Sequence, residues 1–113
     1  MLLMKKEFFP AIRAGEKTTT LRYWCRRMVR PGSRHRVRGL GQVWVRDVRM
    51  VHLAELTDAD AQADGFADLA GLHAVLKRIY PSMRAAGGGS DRRLYQVRFT
   101  YVHEAPPAGE GDR

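Results

Sequence analysis

Apolar residues recur along this chain with two different periods, and the change of period divides it into elements. In "LYQVRFTYVH", Tyr95, Val97, Phe99 and Tyr101 alternate with other side chains, the period of a strand with one buried face. In "DLAGLHAVLKRIYP", Leu69, Leu72, Leu76 and Ile79 recur at helical spacing, with Asp68 near the start and Pro81 just past the end. "QVWVRDVRMVHLAEL" is the longest strand candidate, yet its alternation slips: Val43 and Val45 share one parity, Val48 and Met50 the other. A bulge near Arg46 and Asp47 restores a single buried face, as is common where sheets curl into barrels.

The remaining elements are shorter. "EFFPAIRAG" reads as a short helix or turn in which Phe8, Phe9 and Ile12 share a face, Pro10 sits in the first turn and Gly15 suits a left-handed cap. "KTTTLRYW" favours a strand, because β-branched and aromatic side chains fit a pleated surface. Arg34 to Arg38 lies between a Pro-Gly turn and two further glycines, as a short strand or an extended loop. Thr57 and Asp60 have the spacing of a capping box, opening a short helix that ends at Gly65. "SMRAAGGGSDRR" is a glycine-rich connection that could act as a mobile flap; it is no phosphate loop, since no lysine and hydroxyl follow its glycines.

The order is helix, strands, two helices, final strand, without regular βαβ alternation. It predicts an α+β domain, a small mixed-strand barrel or curled sheet with helices packed against it. The 113 residues make one domain, residues 1–104, with a disordered tail at 105–113.

Charge adds a partner to this picture. The net charge is +8, and it is uneven: the first fifty residues hold 13 Lys and Arg against 3 Asp and Glu. Nine arginines and one acidic residue, Asp47, lie between Arg22 and Arg49. Such a composition suits a surface meeting phosphates, so RNA or a nucleotide is the expected partner, with plain solubility as the alternative. Arg26, Arg27, Arg30, Arg34, Arg36 and Arg38 are the candidate phosphate contacts, and Tyr23 or Trp24 could stack on a base. No membrane span, signal peptide or metal-ligand spacing is present in the sequence, which points to a cytoplasmic protein without metal or other cofactor. The lone Cys25 has no histidine near it in sequence and reads as packing.

The densest chemistry is "GEKTTTLR", Gly15 to Arg22. The segments "FFPAIRAGEKTTTLR", "VRPGS", "DADAQADGF", "LHAVLKRIYP" and "LYQVRF" follow in the order and rough spacing of the ASCH domain. The chain therefore resembles that PUA-like β-barrel family, linked to RNA, over roughly residues 3 to 102. The family signature, G-x-K-x-x-x-x-R, is met by Gly15, Lys17 and Arg22. A small bacterial subgroup resembles N(4)-acetylcytidine amidohydrolases, whose acting residues are a lysine, a threonine three positions later and a glutamate ahead of the last helix. The resemblance maps these to Lys17, Thr20 and Asp64, the last being one methylene shorter than glutamate.

What it implies is a site with Lys17, Thr20 and Asp64 as candidate catalytic residues and Gly15, Arg22 and Tyr23 as substrate-binding ones. Its function would be binding of RNA or a modified nucleoside, with amide hydrolysis or cleavage of the RNA strand as alternatives. Hydrolysis asks for a base to activate the threonine hydroxyl; Lys17 could serve if its pKa fell, and Arg22 nearby would push it that way. Asp64 would then carry a proton to the leaving amine. Strand cleavage would use Lys17 as base for a 2′-hydroxyl and Arg22 as cation, with no threonine nucleophile. In a regular strand Thr18, Thr20 and Arg22 point one way and Thr19 and Leu21 the other, so Lys17 joins Thr20 only through a bend after Gly15. On that reading Thr19 is structural.

Overall fold

The computed structural model describes Leu2, residues 4–81 and residues 92–102. The glycine-rich segment at 82–91 and the C-terminal tail lie outside these described residues.

The strictly alternating segment becomes β4 (Arg93–Val102), and the sheet is organised around it. It lies between β1 (Thr19–Trp24) and β3 (Gly41–Val51), with β2 (Arg34–Val37) beyond β3, in the order β1-β4-β3-β2. Every pairing is antiparallel, so the expected mixed strand directions are not found. The reason is topological: β1 and β3 run the same way but never touch, because the last strand inserts between them.

The sheet curls into a half-barrel, and the bulge foreseen in the β3 sequence is present. Register slips between Val45 and Asp47, Arg46 is the extra residue, and Val48 rather than Asp47 then faces Val97. Val43, Val45, Val97 and Phe99 thereby stay on one face, where Phe9 and Ile12 of α1 (Phe9–Arg13) pack with Leu2, Val29, Val37 and Leu40.

Among the described residues the opposite face is covered only at one end. There Leu21, Val51 and Leu94 meet Leu56, Ala61 of α2 (Asp58–Ala63) and Leu72 and Leu76 of α3 (Leu69–Ile79). Leu72 is fully buried, so truncating it to alanine costs about 2–5 kcal/mol. Both helices start as their sequences suggest: Thr57 and Asp60 form a reciprocal capping box on α2, and Asp68 accepts the Gly71 amide at the start of α3. No helix among the described residues is long and apolar enough to cross a membrane.

Candidate functional site

Two glycines bring the signature segment against the end of α2. Gly15, with φ +78°, leaves α1 in the left-handed region, and the Glu16 and Lys17 amides both donate to the Ala11 carbonyl. The Thr18 amide then donates to the Ala63 carbonyl at 2.7 Å. From the other side Gly65, with φ +96°, closes α2; a Cβ there would stand 3.3 Å from Lys17 Cβ. The missing side chain is what lets the Asp64 turn approach Lys17.

Lys17 and Asp64 meet as a buried pair. Lys17 Nζ lies 3.1 Å from Asp64 Oδ2 and donates to the Asp64 main-chain oxygen at 2.9 Å. Thr19 completes the group, its hydroxyl donating to Asp64 Oδ1 at 3.0 Å. The ammonium also lies 4.9 Å from the Phe8 ring centre and 5.9 Å from that of Phe66, and those rings pack edge to face.

Burial pushes the Lys17 ammonium below its ordinary value; the Asp64 charge and hydrogen bond oppose this, and Arg22 adds to the fall. Burial likewise pushes the Asp64 carboxyl up, against the pull of Lys17, Thr19 and Arg22. Burial thus leans both groups toward their neutral forms, while their mutual attraction favours the charged pair.

The pleat sends Thr20 and Arg22 to the other face of β1. There Arg22 Nε donates to Thr20 Oγ1 at 3.1 Å, and Arg22 Nη2 lies 3.3 Å from Met4 Sδ. This pair lines a cavity of about 220 Å³ between Met4, Lys5 and Phe8 of the N-terminal segment, Leu21 of β1, and Ile79 and Tyr80 at the end of α3. Lys17 and Asp64 do not line it; Phe8 is the shared wall. Gly15 and Lys17 line a second hollow of about 170 Å³ with Thr18, Ile12, Arg13 and the Phe99–Tyr101 stretch of β4.

The predicted residues therefore fall into two groups, Lys17 with Asp64 and Thr20 with Arg22, and Lys17 is engaged by Asp64 and not by Thr20. Tyr23 is buried on the face away from Thr20, its ring 5.9 Å from that of Tyr80. Tyr80, not Tyr23, reaches the cavity. Trp24 is half-buried on the Arg22 face, packed 5.7 Å from Tyr95. Arg26, Arg27 and Arg30 are exposed in the connection between β1 and β2, Arg34 and Arg36 on β2, and Arg38 in the turn after it.

Sequence reasoning missed Met4, Phe8, Phe66 and Tyr80 as site walls. For Phe8, Phe66 and Tyr80 a signal existed, since each sits in a segment shared with the ASCH pattern; Met4 carries none.

Among solved structures, the ASCH domain from Lactobacillus crispatus JV V101 superposes with a TM-score of 0.67 at 15% identity, over 81% of this chain and 68% of that one. The chain has an ASCH-like fold. The structure of protein PH0355 matches equally well, TM-score 0.67 at 17% identity, over 88% of this chain and 95% of that chain. Protein EF3133 from Enterococcus faecalis V583 follows at 0.59 and 16%, over 88% and 75%. No family model and no curated protein sequence matches. At these identities the likeness is one of fold, and the ASCH-like curled sheet with flanking helices is what these proteins share.

Proposed function

We propose that this ASCH-like domain binds RNA by holding an unpaired or modified nucleoside in the cavity at Thr20 and Arg22, with its arginine-rich surface meeting the flanking phosphates. The observation that carries the reading is the Arg22–Thr20 hydrogen bond on the cavity wall. It fixes the guanidinium plane beside the aromatic rings of Phe8 and Tyr80, and a cation set among rings is the combination that meets a base at its face and its polar edge. At about 220 Å³ the cavity is below the ~300–1,000 Å³ of drug-sized sites, in keeping with one base rather than a larger ligand. Lys17 and Asp64 act here as positioning residues behind Phe8.

Titration of isotope-labelled protein with cytidine, N(4)-acetylcytidine and the other nucleosides tests this. Amide shifts should gather at residues 4–8, 20–22 and 79–80, and Arg22→Ala should weaken the tightest ligand about tenfold or more, the worth of a charge-assisted hydrogen bond. Saturable binding that Arg22→Ala leaves untouched refutes the cavity.

Amide hydrolysis is the second reading, favoured by the burial that drives Lys17 toward its neutral, basic form. It requires Lys17 to leave Asp64 and reach the Thr20 hydroxyl. Acetate release from N(4)-acetylcytidine, lost in Lys17→Ala and in Thr20→Val, would establish it; untouched substrate across a pH series removes it. Strand cleavage would instead survive Thr20→Val and fail in Lys17→Ala.

A further inference from the structure

The face of the sheet that α2 and α3 leave uncovered carries its own chemistry. Cross-strand partners point the same way, so the pairs Arg34↔Trp44, Arg36↔Gln42, Trp44↔Thr100 and Asp47↔Arg98 share this face. The bulge adds Arg46, whose Nε donates to Thr100 Oγ1 at 3.0 Å. The Arg46 guanidinium carbon lies over the Trp44 ring at 3.7 Å from its centre, and that of Arg34 at 4.7 Å. Arg34, Arg36, Arg46 and Arg98 are exposed, against the one carboxylate of Asp47 among the described residues of these pairs. None of Arg34, Arg46 and Arg98 makes an ion pair among the described residues.

We propose that this half-face, built on the Arg34–Trp44–Arg46 stack and extended by Arg98, is a binding surface for single-stranded RNA. A guanidinium stacked on an indole spends one of its two faces and keeps the other, with its Nη groups at the edge to suit phosphate oxygens. The stack also offers flat guanidinium planes on which unpaired bases add, and a duplex, whose bases already stack on one another, cannot use them. Charge complementarity selects a polyanion, and the planar stack selects one with free bases. Thr19, paired with Arg98, marks this as the face opposite the Thr20–Arg22 cavity. The proposal takes RNA as its ligand class from the reading above but uses none of the cavity residues, so either can fail alone.

Fluorescence anisotropy with a labelled single-stranded RNA of about 12 nucleotides, followed across roughly 50 to 200 mM salt, tests it. Arg34→Gln/Arg46→Gln should raise Kd about tenfold and flatten the log Kd against log salt slope by about 1.4, two phosphate contacts at ~0.7 each. Arg98→Gln alone should lower the slope by about half that, and it carries the test if the double variant melts early. Lys77→Gln removes one charge, as Arg98→Gln does, from an exposed site on α3 and should leave Kd within about twofold. The proposal is overturned if that control weakens binding as much, if a duplex of the same sequence binds as tightly, or if the sheet variants bind like the wild type. RNA affinity lost in Arg22→Ala but kept in the sheet variants leaves the cavity reading standing and removes this one; the reverse result removes the cavity.

Discussion

Replacing Asp64 by Asn keeps the side chain's shape and removes its charge, leaving the Lys17 ammonium buried without a carboxylate. Thr19 can still donate to the amide oxygen in place of its 3.0 Å bond, and Lys17 still reaches the residue-64 main-chain oxygen at 2.9 Å and the face of Phe8. Removing one member of a buried pair costs about 3–5 kcal/mol, and these surviving contacts place Asp64→Asn near the lower end, about 3 kcal/mol. That is a large share of the ~5–15 kcal/mol that holds a domain together, and for this size it lowers Tm by about 10–15 °C. Urea and thermal unfolding followed by circular dichroism at neutral pH measure it. Lys17→Met/Asp64→Leu fills the same space with apolar groups and should recover to within about 1 kcal/mol of the wild type, since a buried pair repays little beyond its own desolvation. An Asp64→Asn protein within about 1 kcal/mol of wild type, or a double variant no better than the single one, refutes the reasoning.

The pH profile gives the pair a signature. Because burial raises the Asp64 carboxyl above 3.8, the stability from its proton is complete below that unfolded value and lost as pH rises through the folded one. Lys17 is lowered from 10.5, so the unfolded chain holds that proton more tightly and stability climbs from the folded value toward the unfolded one. Wild-type stability minus that of the Lys17→Met/Asp64→Leu variant should therefore fall on the acid side and recover on the alkaline side; a flat difference contradicts the shifts. Gly15→Ala meets only its positive φ, with open space around it, and should cost about 1–2 kcal/mol in chemical unfolding. Gly65→Ala meets the same strain and also crowds Lys17 Cβ at 3.3 Å, so it should cost more; equal losses would mean the close approach carries no weight.

Much of the fold was legible because the determinants are local. Capping residues, the helical spacing of α3 and the slip of parity in β3 each act over a few positions, and the structure places Thr57, Asp68 and the Val45–Asp47 bulge where the sequence puts them. Strand order is a different kind of fact. Nothing near β1 or β3 announces that β4 will lie between them, because that depends on which faces remain to be buried once the chain is complete. The same limit hid the role of Phe8 and Phe66: both lie in segments shared with the ASCH pattern, but only the fold brings the two rings together at Lys17.

The threonine run shows how a correct local rule can still leave a site divided. Alternation puts Thr20 and Arg22 on one side of β1, and they are hydrogen-bonded there. The same alternation, carried one step further back, puts Lys17 with Thr19, and it is Asp64 that joins those two. The Gly15 bend, invoked to turn Lys17 toward Thr20, instead seats it on the end of α2. Any ligand at Thr20 and Arg22 thus meets Lys17 indirectly, through the strand, the Phe8 ring and the charge of Arg22. Substitutions at Lys17 or Asp64 should then change stability first and affinity second, while substitutions at Arg22 do the reverse. Comparing the two effects at each position separates a binding wall from the buried support behind it, which contact distances alone do not.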